Sequence, residues 1–85
     1  MVVRLTLWSL ADTGTTVAEL RGESFARSPG ATFEAWFSDE VTERFGSFAV
    51  FADAGAAEEP PPTRLRELVV KDPDVVEVFE LESES

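Results

Sequence analysis

Residues 31–51 read ATFEAWFSDEVTERFGSFAVF, and this stretch decides the fold. From Ala31 to Ser38, Phe33, Ala35 and Phe37 alternate with Thr32, Glu34, Trp36 and Ser38, the period of two that marks a strand. Asp39 to Arg44 is a polar loop. The β-type apolar run resumes from Phe45 to Phe51, so the pair reads as a hairpin. Its register is open: either Phe45 and Phe51, or Phe48 and Val50, share a face with Trp36.

Upstream, Val2 to Leu10 alternates again, with Val3, Leu5 and Leu7 on one side and Arg4, Thr6 and Trp8 on the other. Asp12-Thr13-Gly14-Thr15 is turn chemistry that can cap a helix. Thr16 to Arg27 then places Val17, Leu20, Ser24 and Phe25 on one helical face, weakened at Gly22 by about 1 kcal/mol relative to alanine. Ser28-Pro29-Gly30 stops it. Downstream, the small and acidic segment Ala52 to Glu59 leads to Pro60, Pro61 and Pro62, which suit a helix start because a missing N–H goes unused there. Leu65, Leu68 and Val69 give helical spacing between Arg64 and Lys71. Asp72-Pro73-Asp74 ends that helix, and Val75 to Leu81 supplies a last strand.

The order is βαββαβ, an α+β ferredoxin-like sandwich with a four-stranded, antiparallel-type sheet, expected to pair as a dimeric α+β barrel. Residues 1–82 form the domain and 83–85 a frayed tail. Right-handed crossovers place strands 1 and 3 centrally and parallel, flanked by strands 4 and 2, with both helices on one face. The uniformly apolar set (Val3, Leu5, Leu7, Phe33, Ala35, Phe37) is expected to face the helices. The other set carries Trp8 and Trp36, and a bare sheet face with two tryptophans is an apolar patch of the kind that marks an interface. A homodimer joined face to face is therefore expected.

Composition narrows the chemistry. At 85 residues there is room for one marginal core, and domains of this size commonly gain stability from disulfides, metals or partners. Cysteine and histidine are absent, as are Tyr, Asn and Gln, which removes thiolate and imidazole chemistry and leaves pairing as the source of extra stability. Net charge is −10, with one Lys and six Arg scattered along the chain. Such a surface repels phosphates, so neither nucleic acid nor an anionic membrane is an expected partner. No apolar run reaches membrane-spanning length, and the first residues alternate like a strand instead of forming a leader. The expected location is cytoplasmic.

The stretch from Pro29 to Glu40, with proline–glycine, strand, tryptophan and acidic turn in succession, resembles the dimeric α+β-barrel family of small monooxygenases related to the antibiotic-biosynthesis monooxygenases. Arg44 to Phe51 is similar to that family's third strand, and Leu65 to Leu68 and Asp72 to Phe79 to its closing helix and strand. The resemblance implies a homodimer that oxidises a small aromatic or enolisable substrate with O₂ and without a cofactor. In that chemistry the bound anion supplies the electron while the protein orients and desolvates it. Haem-degrading members use Asn, Trp and His. This chain has neither His nor Asn, and Phe51 stands about where they carry tryptophan.

Trp8, Trp36 and Phe51 are the candidate walls of a pocket for an aromatic ligand. The plainer reading of the tryptophans is interface packing. Arg4 and Glu34 are the candidate catalytic pair, Arg4 steadying an enolate and Glu34 acting as base. As a plain ion pair they would serve structure alone. Arg44 could gate the pocket. Asp39, Glu40 and Glu43 resemble a metal cluster only by proximity, and neither a metal nor a cofactor is expected. The competing function is a non-catalytic dimeric module that binds a small ligand or assembles with another protein.

Overall fold

The computed structural model describes residues 1–58 and 60–82. The expected tail at 83–85 lies outside them. The elements are β1 (Val2–Ser9), α1 (Val17–Arg21), β2 (Ala31–Asp39), β3 (Arg44–Phe51), α2 (Thr63–Leu68) and β4 (Val75–Glu80), with a 3₁₀ turn at Ala56–Glu58 before α2. This is a small α+β fold with one four-stranded antiparallel sheet in the order β2-β3-β1-β4. The order is compatible with a ferredoxin-like arrangement and is the one expected. The expected parallel pairing of β1 with β3 is corrected, because these strands run antiparallel, Leu5 opposite Phe48 and Trp8 opposite Phe45. The reason is geometric. The helical crossover returns β2 in the direction of β1, the hairpin then reverses the chain, and β3 must oppose the strand it lies beside.

The helices are shorter than their periodicity suggests. Thr16 caps α1 by accepting the Glu19 N–H at 3.1 Å, and the helix closes at Gly22, whose N–H reaches the Ala18 carbonyl. Ser24 and Phe25 therefore sit in the following loop, although Phe25 still packs on the core. Glycine's entropic cost ends the helix where the apolar spacing alone would have carried it on.

A second correction concerns which side of the sheet the helices cover. Trp8 and Phe45 pack with Val17 and Leu20 of α1 and with Leu65 and Val69 at α2, while Val2, Ala49 and Phe51 join Ala31 and Ala57 in a second cluster. The covered face thus carries Val2, Arg4, Thr6 and Trp8 of β1, Glu34 and Trp36 of β2, and Phe45, Ser47, Ala49 and Phe51 of β3. The uniformly apolar set expected to face the helices is the one turned away from them. A bulge between Ala31 and Phe33 swings Ala31 to the helix side while Phe33, Ala35 and Phe37 point outward. Polar satisfaction accounts for the choice. Arg4, the Trp8 indole and Glu34 need hydrogen-bond partners once buried, and only the loops of the helix layer supply them.

One such loop is closed by the sole lysine. Lys71 Nζ donates to the Ser9 carbonyl at 3.0 Å and pairs with Asp74 at 3.1 Å, while Asp74 accepts the Ser9 N–H at 2.6 Å. The Ser9 N–H first, then Lys71, hold the Asp74 carboxyl below its ordinary value, and Asp74 in turn raises Lys71. A depressed carboxyl stabilises the fold fully above its unfolded value, about 3.9, and loses that contribution as pH falls through the folded value. Raising Lys71 has the mirror effect: its contribution persists up to about pH 10.4 and is lost as pH rises through the folded value. Urea midpoints should therefore be higher for the wild type than for Asp74→Asn at pH 7, with the gap closing toward pH 3. A gap independent of pH would show that the carboxylate charge is irrelevant.

Candidate functional site

Arg4 projects from the middle of β1 into the helix side and is buried, 5% exposed. Its Nη1 donates to the Ala57 carbonyl at 2.9 Å and its Nη2 to Ser28 Oγ at 3.3 Å, while the guanidinium carbon stands 4.7 Å from the centre of the Phe51 ring. Ser28 Oγ donates in turn to Glu34 Oε2 at 3.1 Å, and the Ser28 N–H reaches Glu34 Oε1 at 2.7 Å. Burial pushes the Arg4 guanidinium below its ordinary value and the Glu34 charge opposes that shift. Arginine remains cationic through such a perturbation. The two candidate catalytic residues are thus brought together, joined through Ser28, a residue that sequence reasoning used only as a helix stop. The chain Arg4–Ser28–Glu34 ties the loop before β2 and the 3₁₀ turn to the sheet.

The three aromatic candidates separate. Trp8 is 2% exposed and its indole N–H donates to the Lys71 carbonyl at 3.2 Å; Phe51 is fully enclosed beneath Arg4. Neither presents a wall to a ligand, which corrects their expected place in a pocket. Trp36 is half-buried and stacks on Phe45, ring centres 5.7 Å apart and planes 18° from parallel, with Phe25 against both. It borders a shallow groove of about 420 Å³ between α1 and β2, whose polar side is formed by Arg21, Glu23 and Ser38. Arg21 is held there by Glu40 and Ser38, and Glu23 by Arg64.

A second groove, about 350 Å³, opens on the helix side where β1 meets β4. Neither helix covers β4, so Val76 and Val78 stay 54% and 46% exposed and form one wall. Ala57, Pro60, Pro61 and Pro73 form the others, with Glu58 at the rim, and Arg4 and Thr6 make the floor. The Thr6 hydroxyl is buried and finds no hydrogen-bond partner among the described residues, an arrangement that is rare in native interiors.

The face turned away from the helices bears Val3, Leu5 and Leu7 of β1, Phe33, Ala35 and Phe37 of β2, Gly46, Phe48 and Val50 of β3, and Val75 and Phe79 of β4. Glu77, opposite Leu5, is the one charge among them in the body of the sheet. Phe33, Phe48 and Phe79 are 52%, 39% and 53% exposed. At one end Asp39 faces Arg44 at 3.6 Å, and the Asp39 carboxyl, held below its ordinary value chiefly by Thr42, accepts the N–H groups of the hairpin turn. Among the described residues no cluster of three potential metal ligands occurs, and no helix is long and apolar enough to cross a membrane. Comparison with protein-family models and with curated proteins gives no match to this chain.

Proposed function

We propose that the chain works as a homodimeric small-ligand-binding module, two copies packed through their open sheet faces as a dimeric α+β barrel. The observation that carries this reading is the apolar character of that face across all four strands. Four strands about 4.8 Å apart and some eight residues long cover roughly 500 Å² in projection. That is at the upper end of the largest apolar patch on an ordinary monomer, about 300–600 Å². It also approaches the roughly 800 Å² per partner of a standard interface, with flanking loops able to supply the rest. Pairing through this face leaves the helix side of each copy open for a ligand. Sedimentation equilibrium at micromolar concentration tests it: a species of twice 9.3 kDa is expected, and a lone folded monomer would overturn it.

A second reading, the cofactor-independent oxygenase implied by the resemblance, is favoured by one observation, the meeting of Arg4 and Glu34 through a shared serine in a buried setting. Ligand binding ranks above turnover because both Glu34 oxygens are engaged by Ser28 and Glu34 lines neither groove, out of reach of a proton on a bound molecule. Oxygen uptake with hydroxylated anthrones and quinols should be absent for the wild type. Uptake abolished by the combined Arg4→Ala and Glu34→Gln changes would reverse that ranking.

A further inference from the structure

We infer that the outer edge of β4 is a docking site for an extended peptide segment of another protein, one that alternates apolar and basic residues. The inference goes beyond the pairing proposed above and uses a different surface, the edge of the sheet and its helix side.

β4 is the end strand, next to β1, and among the described residues no strand lies beyond it. The Leu81 N–H donates to the Met1 carbonyl at 3.0 Å, and the register with β1 is unbroken from Glu80 back to Val75. Antiparallel pairing alternates bonded and outward-turned residues along a strand. Val75, Glu77 and Phe79 therefore bond to β1 as Leu81 does. The N–H and C=O groups of Val76, Val78 and Glu80 point away from the sheet.

The opposite edge is closed in ways that this one is not. A bulge interrupts β2 between Ala31 and Phe33, and Arg27 Nη1 donates to the Thr32 carbonyl at 3.1 Å. β4 has no bulge and, from Val75 to Glu80, neither a proline nor a cation.

The side chains specify the occupant. Val76 and Val78 turn exposed flanks to the helix side, beside the groove bounded by Ala57, Pro60, Pro61 and Pro73. A segment paired to β4 would lay every second side chain along those valines, where apolar groups gain cover. Glu80 continues the same side, Glu58 stands at the groove's rim, and Glu77 lies on the other side of the strand. A cation directly opposite Glu77 and another near Glu80 complete the match. The same carboxylates exclude a second copy as occupant. Pairing β4 to β4 would bring two Glu77 and two Glu80 together with no cation on either strand.

The test uses the full chain and an acetylated, amidated heptapeptide of alternating valine and arginine, followed by NMR and amide hydrogen exchange. Saturable binding is expected, with exchange slowed at Val76, Val78 and Glu80 and unchanged at Glu77 and Phe79. The same peptide with glutamate in place of arginine should not bind. Val78→Pro removes the central outward N–H while sparing the bonds to β1, a change edge strands tolerate, and should weaken the arginine peptide about tenfold. Glu80→Lys, at an exposed position, should weaken it at least about threefold and keeps the test decisive should the proline disturb the strand. Equal binding of the two peptides, full affinity in both variants, or shifts without slowed exchange at the three outward amides would each overturn the inference.

Discussion

Replacing Gly46 with alanine is expected to lower the thermal midpoint by roughly 8–16 °C. A Cβ at this position would overlap the backbone oxygen of Thr6 and lie 2.9 Å from the Phe37 ring. The ring can swing aside, but the oxygen belongs to the neighbouring central strand and can move only if β1 and β3 separate. Overpacking of this kind costs about 1–3 kcal/mol, and the upper end applies where backbone must shift. Stiffening the unfolded chain by removing a glycine returns about 0.4–1 kcal/mol, for a net loss of about 2 kcal/mol. In a domain of this size each kcal/mol moves the midpoint by roughly 4–8 °C. Combining Gly46→Ala with Phe37→Ala separates the two clashes. If the ring were the obstacle, the double variant would recover stability; with the strand oxygen as the obstacle it should fall further. A Gly46→Ala protein melting with the wild type would show that β3 can be displaced freely at this point.

Much of the architecture was legible because period-two alternation marks β1 and β2, and short apolar runs bounded by turn residues mark β3 and β4. The hairpin and the element order followed from these, and the strand order from crossover handedness. Which face the helices would cover was not legible, because both faces are rich in apolar groups. Reading the cleaner apolar set as the core inverted the sheet. The deciding signal was the polar content of the other set: Arg4, Glu34 and the Trp8 indole require partners, and loops such as Ser28 and Ala57 can provide them where a second apolar sheet cannot. The Arg4–Glu34 association was legible for the same parity reason, since both positions share one side of the sheet. Ser28 was missed because a loop residue gives no periodic signal. The groove was missed because it depends on what α2 leaves uncovered at β4, a consequence of helix length that the apolar spacing overestimated.

Inverting the sheet sharpens the case for pairing, and the sharpest expected effect comes from Phe48→Asp: a shift from dimer to monomer at micromolar concentration, with the apparent dissociation constant raised at least about 1,000-fold. Phe48 lies opposite Leu5 on one side and Ala35 on the other, in the middle of the open face. In a two-fold pair every substitution appears twice, so the variant would bury two carboxylates among Leu5, Phe33 and their copies with no cation in reach. Each uncompensated buried charge costs several kcal/mol, far beyond the 1.4 kcal/mol that changes an equilibrium tenfold. The monomer should keep its fold, because Phe48 is 39% exposed and helps no helix to pack. Phe48→Ala removes apolar area without adding charge and should weaken pairing much less. Salt supplies an independent check. Each copy carries −10, so screening should strengthen wild-type association, opposite in sign to an interface held by ion pairs. If Phe48→Asp sediments as the wild type does while an Arg21→Glu change in the groove beside Trp36 disrupts the dimer, the partner lies on the helix side, and the open face must find another cover.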